Sequence, residues 1–195
     1  QFDRFLREDD FNADGSLKAG LPDQTKVFPA GYQFAPGDVL YKDLDNNGEI
    51  VKQTNTNDKG DLSVIGNALP RLQFGLNLDA AWKGFDISMF FQGVAKRKLW
   101  AAGNQVLPGF TTGEPFYKGA EDYWTPENTD AFYPRPMDYK QSASGNYSVN
   151  DRYLLNMAYL RLKTFTVGYS LPKVWLSKFK VQGLRVYFTG ENLFT

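Results

Sequence analysis

Residues 71–94 read RLQFGLNLDAAWKGFDISMFFQGV, and this stretch decides the fold class. Leu72, Phe74, Leu76, Leu78, Ala80 and Trp82 alternate with Gln73, Gly75, Asn77, Asp79, Ala81 and Lys83. Past Gly84, the residues Phe85, Ile87, Met89 and Phe91 alternate with Asp86, Ser88, Phe90 and Gln92. A period of two sends successive side chains to opposite faces of a strand. Two such runs joined only by Lys83-Gly84 predict an antiparallel hairpin whose apolar faces continue across the turn and set its register. Each run has about ten residues, close to the ~9–11 that a tilted strand needs to cross a bilayer.

Two further alternating runs lie outward from this hairpin, at Tyr159–Leu171 and Leu184–Asn192. The third changes phase: Leu160 and Leu162 share one face, Phe165, Val167, Tyr169 and Leu171 the other. A switch near Lys163-Thr164 predicts a β-bulge, or a strand whose upper part has left the bilayer. The fourth puts Leu184, Val186 and Phe188 on one face and Arg185, Tyr187, Thr189 and Glu191 on the other. Between the third and fourth runs, Pro172-Lys173-Val174-Trp175-Leu176-Ser177-Lys178 suits one helical turn with Pro172 at its start. Short joints at Lys83-Gly84 and 172–182 alternate with long polar segments, the way outer-membrane barrels are built. The expected organisation is therefore an extracellular loop region at 1–70, a transmembrane hairpin at 71–94, a long extracellular loop at 95–157, and further strands at 158–195. Residues 1–70 are rich in turn signals and are expected to hold little regular structure. Four strands cannot close a barrel, and open edges do not survive in lipid. The expectation is thus a fragment of an all-β transmembrane antiparallel β-barrel, part of a much longer chain; Gln1 in place of Met and the absence of a signal peptide agree with it.

Composition narrows the function. Twenty-two basic residues balance 22 acidic ones, histidine is absent and the pI is near 6.5, which argues against nucleic acid as partner. Without histidine or cysteine there is no Ser-His triad, thiol nucleophile, disulfide or usual zinc site. No apolar run approaches the ~18 residues of a membrane-spanning helix, a test to which a barrel strand is blind. The competing reading is a surface-exposed or soluble β domain, in which the apolar face packs on a second sheet and loop aromatics bind carbohydrate. Strands of such domains usually run about 5–6 residues, which favours the membrane.

Five motifs then carry a family resemblance. They are Pro36-Gly37-Asp38-Val39-Leu40-Tyr41-Lys42-Asp43-Leu44 with its following Asp/Asn/Gly cluster, Val64-Ile65-Gly66-Asn67 with Pro70, and Lys83 through Gly93. Tyr159-Leu160-Arg161-Leu162-Lys163 with Val167 through Pro172 is the fourth, and Leu184-Arg185-Val186-Tyr187 with Gly190 through Thr195 the last. In this order they resemble the SusC/RagA-type TonB-dependent transporters of Bacteroidetes-like bacteria; residues 1–35 match none of the family's motifs. The resemblance implies the C-terminal part of a 22-stranded, plugged outer-membrane barrel. It implies a SusD-like surface lipoprotein as partner, a dimer of transporter–lipoprotein pairs, and import of oligosaccharides or peptides energised by TonB–ExbB–ExbD. The plug and TonB-contacting parts are expected outside this sequence.

Three constellations are candidate sites. Asp43, Asp45, Asn47 and Glu49, with Gly48 at the sharp turn and Ile50 as anchor, have EF-hand-like spacing, as a hard cation such as Ca2+ requires. Position twelve of that loop is Thr54 instead of a carboxylate; the family resemblance assigns the acid to Asp61, seven positions later, across an insertion within 51–60. The alternative is a metal-free Asx turn, and in either case the loop is stiffened and nothing is catalysed. Trp100, Trp124 and Tyr147 are candidates for stacking on sugar faces; the alternative is that the loop aromatics pack internally. Polar residues of the runs, among them Gln73, Asn77, Asp79, Asp86, Arg185 and Glu191, face the lumen in this reading, where they either contact plug or solute or satisfy one another and water. Glu114, Glu121, Glu127 and Asp130 offer carboxylates of the type a glycosidase pair uses, but nothing in the sequence fixes their separation, and the protein is expected not to be an enzyme. No cofactor is expected beyond a structural cation.

Overall fold

The runs of alternating residues become the long strands of one sheet. In the computed structural model, which describes residues 1–52, 57, 59–110, 116–137 and 145–195, β3 spans Leu72–Trp82 and β4 spans Phe85–Ala95. Strand β7 is Tyr159–Ser170 and β8 is Arg185–Phe194. They form a four-stranded antiparallel sheet in the order β3-β4-β7-β8. Leu72 faces Ala95 and Trp82 faces Phe85 at the two ends of the hairpin, with no slip between them. Lys83 and Gly84 both have positive φ, 47° and 92°, which makes the joint a tight turn of the type whose twist suits a hairpin.

The phase change in the third run is a bulge, and it keeps the apolar face whole. Against β4, Thr164 pairs with Phe90 and Leu162 pairs with Phe91, so Lys163 is the extra residue. On the other side β8 answers with a slip of its own between Glu191, opposite Thr164, and Phe194, opposite Leu162, where Asn192 has φ 52°. Leu160 and Leu162 are thereby returned to the face that carries Phe165, Val167 and Tyr169. The rings of Phe91 and Phe194 meet edge to face at 6.4 Å, on either side of Leu162. Rows such as Ala80–Ile87–Val167–Phe188 run across all four strands on this face. Many of its apolar side chains are open, with Leu76 49% exposed and Phe188 63%, while Leu162 is buried. On the opposite face run Asp79–Ser88–Thr166–Thr189 and Asn77–Phe90–Thr164–Glu191. A short helix, α1 at Lys173–Leu176, begins after Pro172 and continues as a 3-10 turn to Phe179.

These strands belong to one compact unit, residues 67–99 and 156–195; the other comprises residues 1–66 and 100–155. The second of these units has more regular structure than its turn-rich sequence predicts. Strand β1, Phe2–Phe5, pairs antiparallel with β2, Val39–Tyr41. Elsewhere in the chain two short strands, β5 at Lys98–Trp100 and β6 at Leu154–Asn156, pair with each other. Phe5, Val27, Phe28, Val39, Tyr41, Ile50, Trp124 and Ala131 form a buried core. Their spacing follows neither a helical nor a strand period, so no pattern test registers them. Among the described residues no helix is long and apolar enough to cross a membrane, which says nothing of strands.

Candidate functional site

Within the unit of residues 1–66 and 100–155, the site is built around β2. One edge of β2 pairs with β1; the other is closed by side chains. Gln24, fully buried, donates Nε2 to the Val39 carbonyl at 2.8 Å and accepts the Tyr41 N–H at 3.1 Å. Asn146 accepts the Val39 N–H at 2.7 Å. Buried strand edges need such partners, since an unmade backbone bond costs about as much as a lost hydrogen bond.

Asp38, at the start of β2, ties the unit's two chain segments together. Its buried carboxylate accepts from Arg135 Nε at 2.7 Å, Asn146 Nδ2 at 3.0 Å and the Ala35 N–H at 2.9 Å. Burial alone would lower the Arg135 pKa, but the hydrogen bond and charge of Asp38 raise it. Gly37 has φ 90°, and a Cβ there would lie 2.5 Å from the Trp124 ring and 2.8 Å from Arg135 Cβ. Only glycine admits that backbone and that approach. The Pro36-Gly37-Asp38 turn and the Trp124/Arg135 region are thus two halves of one packing motif.

This arrangement fixes the aromatic candidates. Trp124 is 6% exposed and lies in the core, and Tyr147 is 4% exposed. Tyr147, Tyr153 and Leu107 form a second cluster, against which Trp100 packs half-buried. Tyr153 is its hub, stacked on Tyr133 at 6.1 Å and meeting Tyr147 at 5.5 Å and Trp100 at 6.4 Å. The faces of Trp124 and Tyr147 are therefore taken by protein neighbours, and of the three only Trp100 keeps partial access. Arg152, which sequence reading passed over, braces the same region. It donates to the Phe132 and Ala131 carbonyls at 2.8 and 2.6 Å and lies 4.5 Å from the Phe2 ring centre. No spacing signal marks it, because its partners are carbonyls brought in by the tertiary path.

The acidic turn brings three of its five proposed ligands together. Carboxylate oxygens of Asp43, Asp45 and Asp61 lie within 4.8 Å of one another. Asp61 is buried and accepts the Leu44 N–H at 2.7 Å and the Val51 N–H at 2.8 Å, which locks the far side of the loop onto the near side. Asp43 accepts the Gly48 N–H at 2.7 Å, and that bond first of all holds its pKa down. Desolvation first, then the hydrogen bond with Asp43 and the charges of Asp61 and Asp43, push Asp45 up. Asn47 donates to Asp45 Oδ2 at 3.0 Å and accepts the Glu49 N–H at 2.8 Å. The Glu49 carboxylate turns outward into an ion pair with Lys26; in EF-hand geometry the residue at that position contributes its backbone carbonyl. Thr54 and the centre of the 51–60 insertion lie outside the described residues, as does Glu114. Glu121, Glu127 and Asp130 are exposed.

On the sheet, Arg185 of β8 bonds Asp86 of β4 at 2.5 and 3.0 Å, crossing β7. Thr166 and Thr189 share a hydroxyl hydrogen bond at 3.0 Å on the same polar face. Of the six polar residues expected to face the lumen, Asp86 and Arg185 pair with each other.

No protein-family model matches the chain. TonB-dependent receptor P3 of Formosa agariphila is 33% identical over 166 residues, covering 82% of this chain and 14% of that receptor. TonB-dependent receptor P26 of the same organism is 34% identical over 153 residues, covering 76% of the chain and 14% of the receptor. The chain therefore spans about a seventh of the curated relatives it matches. Among solved structures, the RagAB peptide transporter aligns over 81% of this chain and 17% of its own, with a TM-score of 0.53 and 21% identity. The RagAB peptide importer in its open-open state gives 0.51 and 19%, again over 81% of this chain and 17% of that one. These structural likenesses show the fold.

Proposed function

From the membership of this chain in the SusC/RagA-type TonB-dependent receptors, as a segment of their β-barrel, we propose that it forms part of the wall and extracellular loops of an outer-membrane importer. The transporter takes up oligosaccharides or peptides together with a SusD-like surface lipoprotein. TonB–ExbB–ExbD supplies the energy through parts of the protein outside this chain. The observation that carries the reading is the sheet of β3, β4, β7 and β8. Its strands run 10–12 residues, and one face is apolar and mostly exposed while the other carries polar residues, including the Arg185–Asp86 and Thr166–Thr189 pairs. Lipid suits the first face and a water-filled lumen the second. The curated relatives are receptors and the solved ones transporters, which supports a non-enzymatic role.

The residues 1–66 and 100–155 form the surface-exposed part in this reading. We further assign the Asp43, Asp45 and Asp61 cluster, with Asn47 and the Glu49 carbonyl, to a structural Ca2+ that stiffens this part. The three convergent carboxylates suit a hard cation.

Fractionation with uptake tests the transport reading. The intact protein should sediment with the outer membrane and require detergent for release. Deleting its gene, or that of a neighbouring lipoprotein, should abolish growth on the imported oligosaccharide or peptide. Recovery in the aqueous phase without detergent would overturn it in favour of a soluble binding domain.

A further inference from the structure

We infer that the end of the sheet carrying the two short connections is a docking surface for anionic phospholipid headgroups. The inference rests on the barrel reading above. Trp82, Phe85 and Tyr169 stand side by side in the last row of the apolar face, across β3, β4 and β7. The rings of Phe85 and Tyr169 lie 4.4 Å apart. Such a row of aromatics marks the border between hydrocarbon and headgroups. The residues immediately beyond it are therefore at headgroup depth.

Those residues are basic and apolar, and they carry no acid. Residues 171–184 include Lys173, Lys178 and Lys180 and neither Asp nor Glu. The adjacent turn adds Lys83, whose ammonium sits 4.8 Å over the Trp82 ring. The two connections are neighbours, since the Ser170 N–H donates to the Gly84 carbonyl at 2.8 Å. The nearest carboxylate along β4, Asp86, is on the polar face and is paired with Arg185. Two residues suffice to join β3 to β4, so a fourteen-residue connection between Ser170 and Arg185 exceeds what the turn requires. Helix α1 uses the surplus to bury Leu176, at 5% exposure, while leaving Val174 76% and Trp175 60% exposed. The three lysines of the connection are exposed beside them. Exposed aromatic and aliphatic side chains among lysines fit a membrane surface whose headgroups are negative. Charge complementarity and continuity with the apolar face select this occupant over a protein.

The full-length transporter, reconstituted in nanodiscs of phosphatidylethanolamine with a minor share of phosphatidylglycerol, tests this. Native mass spectrometry should find phosphatidylglycerol retained above its bulk share. Each of K173Q, K178Q and K180Q should reduce that enrichment about fivefold, as one lysine at a charged surface is worth. Brominated phosphatidylglycerol should quench Trp175, and the quenching should vanish in W175F while Trp82 is still quenched. Unchanged enrichment in the triple variant, with normal incorporation, overturns the lipid surface alone. Loss of a co-purifying periplasmic protein with lipid retention unchanged overturns it in favour of a protein partner. A wild type that fails to enter bilayers overturns the barrel reading beneath it.

Discussion

The Arg185 guanidinium reaches Asp86 across an intervening strand, at 2.5 and 3.0 Å, by lying directly over Gly168. A Cβ on Gly168 would sit 2.5 Å from Arg185 Nη2 and 2.8 Å from Cζ. Arg185 itself pairs with Ser170, so its side chain runs diagonally over Gly168, and the bridge depends on the bare backbone there. G168V should break it, and G168V and R185Q should be strongly non-additive in a double-mutant cycle read by thermal unfolding of the full-length protein in detergent. Additive effects would show that the arginine does not depend on that glycine.

Lys163 is the extra residue of the bulge. Deleting it removes the bulge yet keeps Leu160 and Leu162 on the apolar face, because Leu162 then follows Thr164 in unbroken alternation; deleting Lys163 and Thr164 together sends both leucines to the polar face. The double deletion should prevent outer-membrane assembly, seen as loss of the heat-modifiable folded band on gels, whereas the single deletion should not. Lys163→Ala should assemble normally.

Arg135 is the cationic partner of a carboxylate that water does not reach. Arg135→Met should destabilise the unit of residues 1–66 and 100–155 by about 3 kcal/mol, the cost of stranding a buried charge. Limited proteolysis should detect this as faster cleavage within those segments, with the strands still protected.

Calcium should slow proteolysis of residues 1–66, and chelation should reverse the effect. Asp45→Asn should abolish the calcium response, since it removes a convergent oxygen charge while Asp61 still closes the loop on Leu44 and Val51. Protection that is indifferent to calcium would leave the turn as a metal-free Asx structure.

Acid should loosen the start of the chain. The Arg4 hydrogen bonds at 2.5 and 2.8 Å hold Asp10 below the usual carboxylate range. A depressed folded pKa contributes stability that is complete above the unfolded value, about 3.9, and is lost as pH falls through the lower folded one. Hydrogen exchange of the β1 amides should rise through that window. Arg4→Gln should flatten the dependence.

The sequence by itself determined the long strands, the hairpin joint and the family. Alternation is written in consecutive residues, and a strand's period of two converts it directly into two faces. It also marked the bulge, since a broken period at Lys163-Thr164 admits few remedies. Only the tertiary structure decided that Leu160 and Phe165 share a face, because their partners Gly93 and Met89 on β4, and not the broken period, choose the bulge over a strand that leaves the sheet. It alone placed Trp124 and Tyr147 in cores, where sequence left stacking on a ligand and internal packing both open. It alone set Asp38 against Arg135, 97 residues away. Those contacts close long loops by burial and hydrogen bonding between residues that share no period, so nothing local in the chain announces them.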